Sequence, residues 1–169
     1  MAKKSWLSTA AFGLVTGAAG LLGNLATRRS VDSRWYREEL KKPSFQPPRG
    51  LFGPVWTTLY AAMARSAARV WQAPPSRART AALALWGTQL ALNGAWSVLF
   101  FGVRRPRWAL FEVGALLASI AVYAAVAAKV DKKAAAMMAP YLAWTGFATV
   151  LNGTIVAQND AATLAPALN

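Results

Sequence analysis

The stretch "TAALALWGTQLALNGAWSVLFFGV", Thr80 to Val103, contains no Asp, Glu, Lys or Arg. It exceeds the roughly 20 residues that a helix needs to cross about 30 Å of hydrocarbon. Two further runs share that property, Ser5 to Thr27 and Ala134 to Asn159. Gly50 to Ala64 is also uncharged and continues to Trp71 through Arg65 and Arg69, whose long stems can carry their charges to an interface. Trp108 to Ala128 is interrupted only by Glu112. These segments predict an all-α protein, an integral membrane bundle of five transmembrane helices at about 6–27, 51–71, 80–102, 108–128 and 134–158, forming one domain over residues 1–169.

Composition agrees. A chain of 169 residues that is 56% hydrophobic, with eight tryptophans and six acidic residues, is too apolar for an ordinary soluble domain. The formal charge of +13 does not point to nucleic acid, because the Lys and Arg residues cluster between the uncharged runs instead of forming a stripe on a packed fold. The first run is too long for the apolar core of a cleaved signal peptide, and the pair Arg28-Arg29 follows it as a stop signal would. Orientation is balanced. Lys3, Lys4, Arg65, Arg69, Arg77, Arg79, Lys129, Lys132 and Lys133 fall on one side, nine residues against the ten at Arg28, Arg29, Arg34, Arg37, Lys41, Lys42, Arg49, Arg104, Arg105 and Arg107. The segment pattern makes the chain multi-pass and leaves open which membrane it occupies.

There is no Cys and no His. A disulfide framework, a thiolate nucleophile and a Cys-based metal site are therefore excluded, as are the commonest general base and the commonest haem axial ligand. What remains favours binding over catalysis. The connection at residues 28–50 is long and carries Trp35, Tyr36, Phe45, Pro43, Pro47 and Pro48. Proline fixes φ, and the segment is not rich in Gly and Ser as a flexible linker would be, so it reads as a structured lid over one end of the bundle, the alternative being a basic loop among lipid headgroups.

Pro54 is expected in the first turn of the second helix, followed by Trp56 and Tyr60, which share a face at a spacing of four. Gln89, Asn93 and Trp96 share a face of the third helix, and Trp144, Ala148 and Asn152 recur at intervals of four on the fifth. Buried amides within hydrocarbon need partners, so these stripes should face the bundle interior. Taken together they describe an apolar pocket with a few orienting polar groups, although each alone also suits helix packing. Gly13, Gly17 and Gly20 place small residues along the first helix and allow close helix approach.

At these residues the chain resembles a known family. "WYREELKKPSFQPPRGLFGPVWTTLYAAMA" from Trp35, "QLALNGAWSVLFFG" from Gln89, "RWALFEV" from Arg107 and "PYLAWTGFATVLN" from Pro140 are similar, in order and spacing, to the signature blocks of the translocator protein family, also called tryptophan-rich sensory proteins or peripheral benzodiazepine receptors. The resemblance covers about residues 6–158. It implies a five-helix membrane receptor or carrier, usually homodimeric, with a pocket for porphyrins and other hydrophobic ligands beneath the first loop and a role in tetrapyrrole transport or regulation. By motif position it assigns Trp56, Tyr60 and Trp144 as pocket aromatics, Gln89, Asn93 and Trp96 as the third-helix wall, Ala148 as a small pocket residue, and Trp35 and Tyr36 as the lid. Phe45 stands where many members carry Trp, keeping the ring without an indole N–H.

Glu112 matches an acidic position early in the fourth helix and is expected to be paired within the bundle. The resemblance implies no required cofactor and no metal; protoporphyrin or haem would be a ligand. Family members in animal mitochondria are linked to cholesterol, but here "VLNGTIVAQND" places Gly153 where the sterol consensus needs Tyr, and no Lys or Arg follows. Two other functional classes stand beside the receptor. One is an enzyme that degrades bound porphyrin photo-oxidatively, with Trp56 and Trp144 as candidates and no other catalytic residue. The other is a structural or regulatory membrane partner.

Overall fold

The computed structural model describes residues 2–163, and side chains from 6 to 160 except Ala26 and Arg29. Lys3, Lys4 and Arg29, counted above among the basic residues, thus lie outside the described side chains, and the expected domain runs past the described residues at both ends. Every regular element among the described residues is helical: α1 (Ala2–Val31), α2 (Arg49–Gln72), α3 (Arg77–Ser97), α4 (Pro106–Ala128), a short α5 (Lys132–Ala136) and α6 (Ala139–Thr163). Two π-helical turns join them, Trp35–Glu39 after α1 and Val98–Gly102 after α3.

Five of these helices are long, as the segment pattern predicts, but three local expectations need correction. The fifth predicted segment is broken. Asp131 caps α5 by accepting from the Ala134 N–H at 3.0 Å, and Pro140 has no N–H to return to Ala136, so α5 ends and α6 restarts past Met137 and Met138. Pro54 lies inside α2, which begins at Arg49, so the helix forgoes one backbone bond there; the Thr57 and Thr58 hydroxyls bond the carbonyls of Gly53 and Pro54 at 2.9 and 3.0 Å. Of the α1 glycines, a Cβ at Gly13 or Gly17 would meet nothing within 4 Å among the described residues. Close approach occurs at Gly20, where a Cβ would lie 2.5 Å from the Tyr60 ring, and at Gly23, which faces Ser97.

Trp6–Leu25, Pro106–Ala128 and Lys132–Asp160 are long and apolar enough to cross a membrane on length and composition alone. The Thr80–Val103 run is not among them, because freedom from charge is not the same as apolarity: Thr80, Thr88, Gln89 and Asn93 dilute it. The exterior is that of a membrane protein. Leu14, Leu21, Leu22, Leu25, Phe111 and Val150 are exposed, whereas Gln89, Asn93, Thr145 and Asn152 are buried.

Helix α1 packs along α2 and α3, α3 along α4, and α4 along α6, while α5 seats against α2 and α4. Helices α2 and α6 do not pack as closely. Side chains bridge them instead: the Phe52 and Trp144 rings stand 5.7 Å apart and those of Trp56 and Tyr141 6.3 Å apart. At the α5 end, Ser66 Oγ and the Tyr123 hydroxyl are 2.7 Å apart, and Ser66 donates to the Ala134 carbonyl at 2.8 Å, both within the dry core. The Arg69–Asp131 pair, at 2.7 Å, closes that end. Burial would raise the Asp131 carboxyl, but the hydrogen bond from Arg69, the Ala134 N–H and the Arg69 charge together hold it below its ordinary 3.8.

Candidate functional site

The sequence-derived residues fall into two groups. The inner group lies in the main core. Tyr60 on α2 donates its hydroxyl hydrogen to Asn93 Oδ1 on α3 at 3.0 Å, and Asn93 Nδ2 donates to the Tyr141 hydroxyl on α6 at 2.9 Å. One amide thus holds three helices, and both its donor and acceptor are engaged. Trp56 lies against Tyr60, with centroids 5.3 Å apart, and edge-on to Tyr141. Trp144 extends the wall to Phe52 and to Phe147, which Phe45 from the loop meets at 6.3 Å. Phe45 itself is about half exposed. Ala148 is half-buried on the same helix.

The outer group forms the lid. Trp35 and Tyr36, within the first π turn, pack on Phe100 and Phe101 within the second, at 6.2 and 5.7 Å. Trp96 belongs here and not with Asn93. It stacks on Phe100 at 5.1 Å, and its indole N–H donates to Asn152 Oδ1 at 3.1 Å, while Asn152 Nδ2 donates to the Pro106 carbonyl at 2.9 Å. Asn152, third in the α6 stripe, therefore ties α3 to the start of α4.

The loop is held at many points. Lys41 N–H donates to Asn159 Oδ1 at 3.1 Å and its carbonyl accepts from Asn159 Nδ2 at 2.9 Å, which fixes the loop to the end of α6. Gln46 Nε2 donates to the Tyr36 hydroxyl at 3.0 Å, Lys42 Nζ donates to the Tyr36 carbonyl, and Arg49 reaches back to the Val31 carbonyl at 2.9 Å. Leu40 and Pro43 are buried. Desolvation by burial, followed by the charge on Arg49, draws the Lys42 ammonium below its ordinary pKa. Arg104 adopts the left-handed region at φ 56°, a strained setting for a residue with a Cβ, and its guanidinium lies 5.6 Å from the Trp35 ring centre.

Two polar side chains stand out because they are not spent on the fold. Gln89 is fully buried on the α3 face one turn from Asn93, yet neither its Oε1 nor its Nε2 has a hydrogen-bond partner among the described residues. Glu112 was expected to be paired. Instead both of its carboxylate oxygens are buried without a hydrogen-bond partner among the described residues. Asp131 and Asp160, which do pair, lie toward helix ends, where Arg69 and Arg107 reach them.

Tyr141 was missed as a site residue, although its spacing of three from Trp144 places it on the same face of α6. Phe52, Phe100 and Phe101 were missed too; nothing in an isolated helix pattern tells which of several aromatic residues meets another across helices.

Comparison with known proteins places this arrangement. The sequence profile of the TspO/MBR family matches residues 11–158, from the middle of α1 almost to the end of α6. The chain belongs to the TspO/MBR family. It is 39% identical over 150 residues to the translocator protein of Bos taurus, covering 87% of each chain. With the human translocator protein it shares 43% identity over 130 residues, 75% of each chain. The tryptophan-rich protein TspO of Chlorobaculum tepidum is 36% identical over 146 residues, 84% of this chain and 89% of that one. As a TspO/MBR member the protein is a multi-pass membrane protein with a five-helix bundle, which accounts for α2 and α3 crossing despite their lower hydropathy.

Proposed function

We infer that the protein is a membrane receptor or carrier for porphyrins and other flat hydrophobic molecules, held between α2, α3 and α6 beneath the loop at residues 32–48. The observation that supports this reading best is Gln89. A fully buried amide without a partner is costly in an apolar setting, and such groups persist where something other than the fold meets them. One turn along α3, where Asn93 holds Tyr60 and Tyr141, the rings of Trp56, Tyr60, Tyr141 and Trp144 supply the surface that a flat aromatic ligand stacks on. Asn93 acts indirectly here, by setting the positions of the Tyr60 and Tyr141 hydroxyls. The lid residues Trp35, Tyr36 and Trp96 close the loop end, with Phe45 and Ala148 along the α6 side. The homodimer implied by resemblance is part of the same proposal, and its test is the protomer count in nanodiscs.

The ligand chemistry follows from the side chains present. With no His or Cys, no strong axial ligand for iron is available, so metal-free protoporphyrin should bind at least as tightly as haem. The test is a titration of the protein in nanodiscs with protoporphyrin, haem and a sterol, followed by quenching of its eight tryptophans. Saturable quenching by protoporphyrin, weakened in Trp56→Phe and Trp144→Phe, is expected. Flat titrations, or much tighter haem binding with the spectrum of a strong protein axial ligand, would overturn the reading.

A further inference from the structure

On the outer side of the bundle, α1 and α2 flank a separate open cavity of about 440 Å³ lined by Leu7, Ser8, Ala11, Phe12 and Trp71. Phe12, one of the lining residues, stands edge-on to Trp71 at 6.3 Å and to Trp86 at 4.9 Å, while Leu7 and Trp71 remain about half exposed. The cavity sits at one end of α1 and α2. Trp71 is the second-last residue of α2, and the first apolar span opens at Trp6, beside Leu7. At its rim Gln72 Nε2 donates to Ser8 Oγ at 2.8 Å.

Arg79, in the first turn of α3, lies with its guanidinium 4.7 Å from the Trp71 ring centre. Its Nε is buried and has no hydrogen-bond acceptor, and no carboxylate pairs with Arg79 among the described residues. An apolar trough that opens outward, with a guanidinium that pairs with no carboxylate among the described residues stacked on the Trp71 that lines it, is complementary to a molecule with an acyl chain and an anionic head. We propose that this cavity is a binding site for a single anionic phospholipid, one acyl chain lying between α1 and α2 and its phosphate meeting Arg79. A zwitterionic lipid suits the site less, since its ammonium would compete with Arg79 for the Trp71 face and no carboxylate lines the cavity among the described residues.

The test is native mass spectrometry of the full chain purified in detergent, offered phosphatidylglycerol, phosphatidylcholine of the same chains, or glycerol phosphate. The parent should retain one phosphatidylglycerol and little phosphatidylcholine or glycerol phosphate. Arg79→Gln should lower phosphatidylglycerol retention about tenfold, the scale of a charge-assisted hydrogen bond. Ala11→Phe, which fills the trough and keeps the guanidinium, should lower it as well, whereas Arg77→Gln at an exposed neighbour should not. Equal retention of the two lipids, competition by glycerol phosphate as strong as by the whole lipid, or undiminished retention in folded Arg79→Gln would overturn the proposal. If Arg79→Gln does not fold, Ala11→Phe decides, and unchanged retention there overturns it.

Discussion

Replacing Gln89 by Leu should make the protein more stable and a poorer binder. The residue has no exposed surface, and both amide atoms lack partners among the described residues, so the fold carries a desolvation cost that Leu, of similar volume, removes without opening a void. An unsatisfied buried group costs about 1–3 kcal/mol in soluble proteins, and the low energies of interhelical hydrogen bonds in membranes place this one near the lower end, about 1 kcal/mol. For a chain of this size that corresponds to a rise in Tm of about 2–4 °C. Affinity should move the other way. A lost hydrogen bond to ligand is worth about 0.5–1.5 kcal/mol, a weakening of about two- to thirteen-fold. The assay is thermal unfolding of parent and variant in nanodiscs without ligand, followed by protoporphyrin titration of both, each read by tryptophan fluorescence. Opposite signs in the two measurements identify a group kept for binding. A lower Tm with unchanged affinity would make Gln89 a helix-joining amide and refute the reasoning.

Asn93→Leu should behave in the opposite sense: it deletes two interhelical bonds, at 3.0 and 2.9 Å, so about 1.2 kcal/mol of stability should go at about 0.6 kcal/mol for each. Its effect should be non-additive with Tyr60→Phe and Tyr141→Phe in double-mutant cycles read by unfolding midpoint. The Asp131 carboxyl is held below its ordinary 3.8, so its pairing stabilises the fold above that pH and the contribution is lost as pH falls through the lower folded-state value; Asp131→Asn should abolish that acid limb in melts taken from about pH 5 downward. Pro47→Gly with Pro48→Gly should leave helix content by circular dichroism unchanged while weakening protoporphyrin binding, because the loop then has more conformational freedom to lose on closing; equal affinity would reduce the loop to a connector.

Much of the fold could be read from where charge is missing, because a helix in hydrocarbon cannot tolerate it. The break after α5 could not, since Pro140 sits within an apolar run and the stop depends on a cap at Asp131 and a missing N–H together. The site was legible along each helix but not across helices. Trp56 with Tyr60 and Trp144 with Ala148 follow from a spacing of four, yet the equally helical spacing of three grouped Trp96 with Asn93, whereas Trp96 meets Phe100 and Phe101 of the π turn at Val98–Gly102. Pairing of Glu112 was inferred from the cost of an unpaired carboxylate, an argument about averages that does not decide a single residue.

Hydropathy carries a further signal. A helix inside a bundle must be apolar only where it meets lipid, so the polar residues that lower the hydropathy of α3 have to lie inward. Gln89 and Asn93 do so, buried beside Trp86 and Leu90, while Ala81, Ala84 and Ala91 face outward. On α2 the inward polar groups are the Tyr60 hydroxyl and Ser66, with Arg69 turned to Asp131 at the end. The two long helices of lower hydropathy thus supply Tyr60, Ser66 and Asn93, whose partners Tyr123 and Tyr141 come from the more apolar α4 and α6. In this bundle a shortfall in hydropathy marks helices whose polar groups turn inward, while the strongly apolar α4 adds the Tyr123 hydroxyl and the buried carboxylate of Glu112.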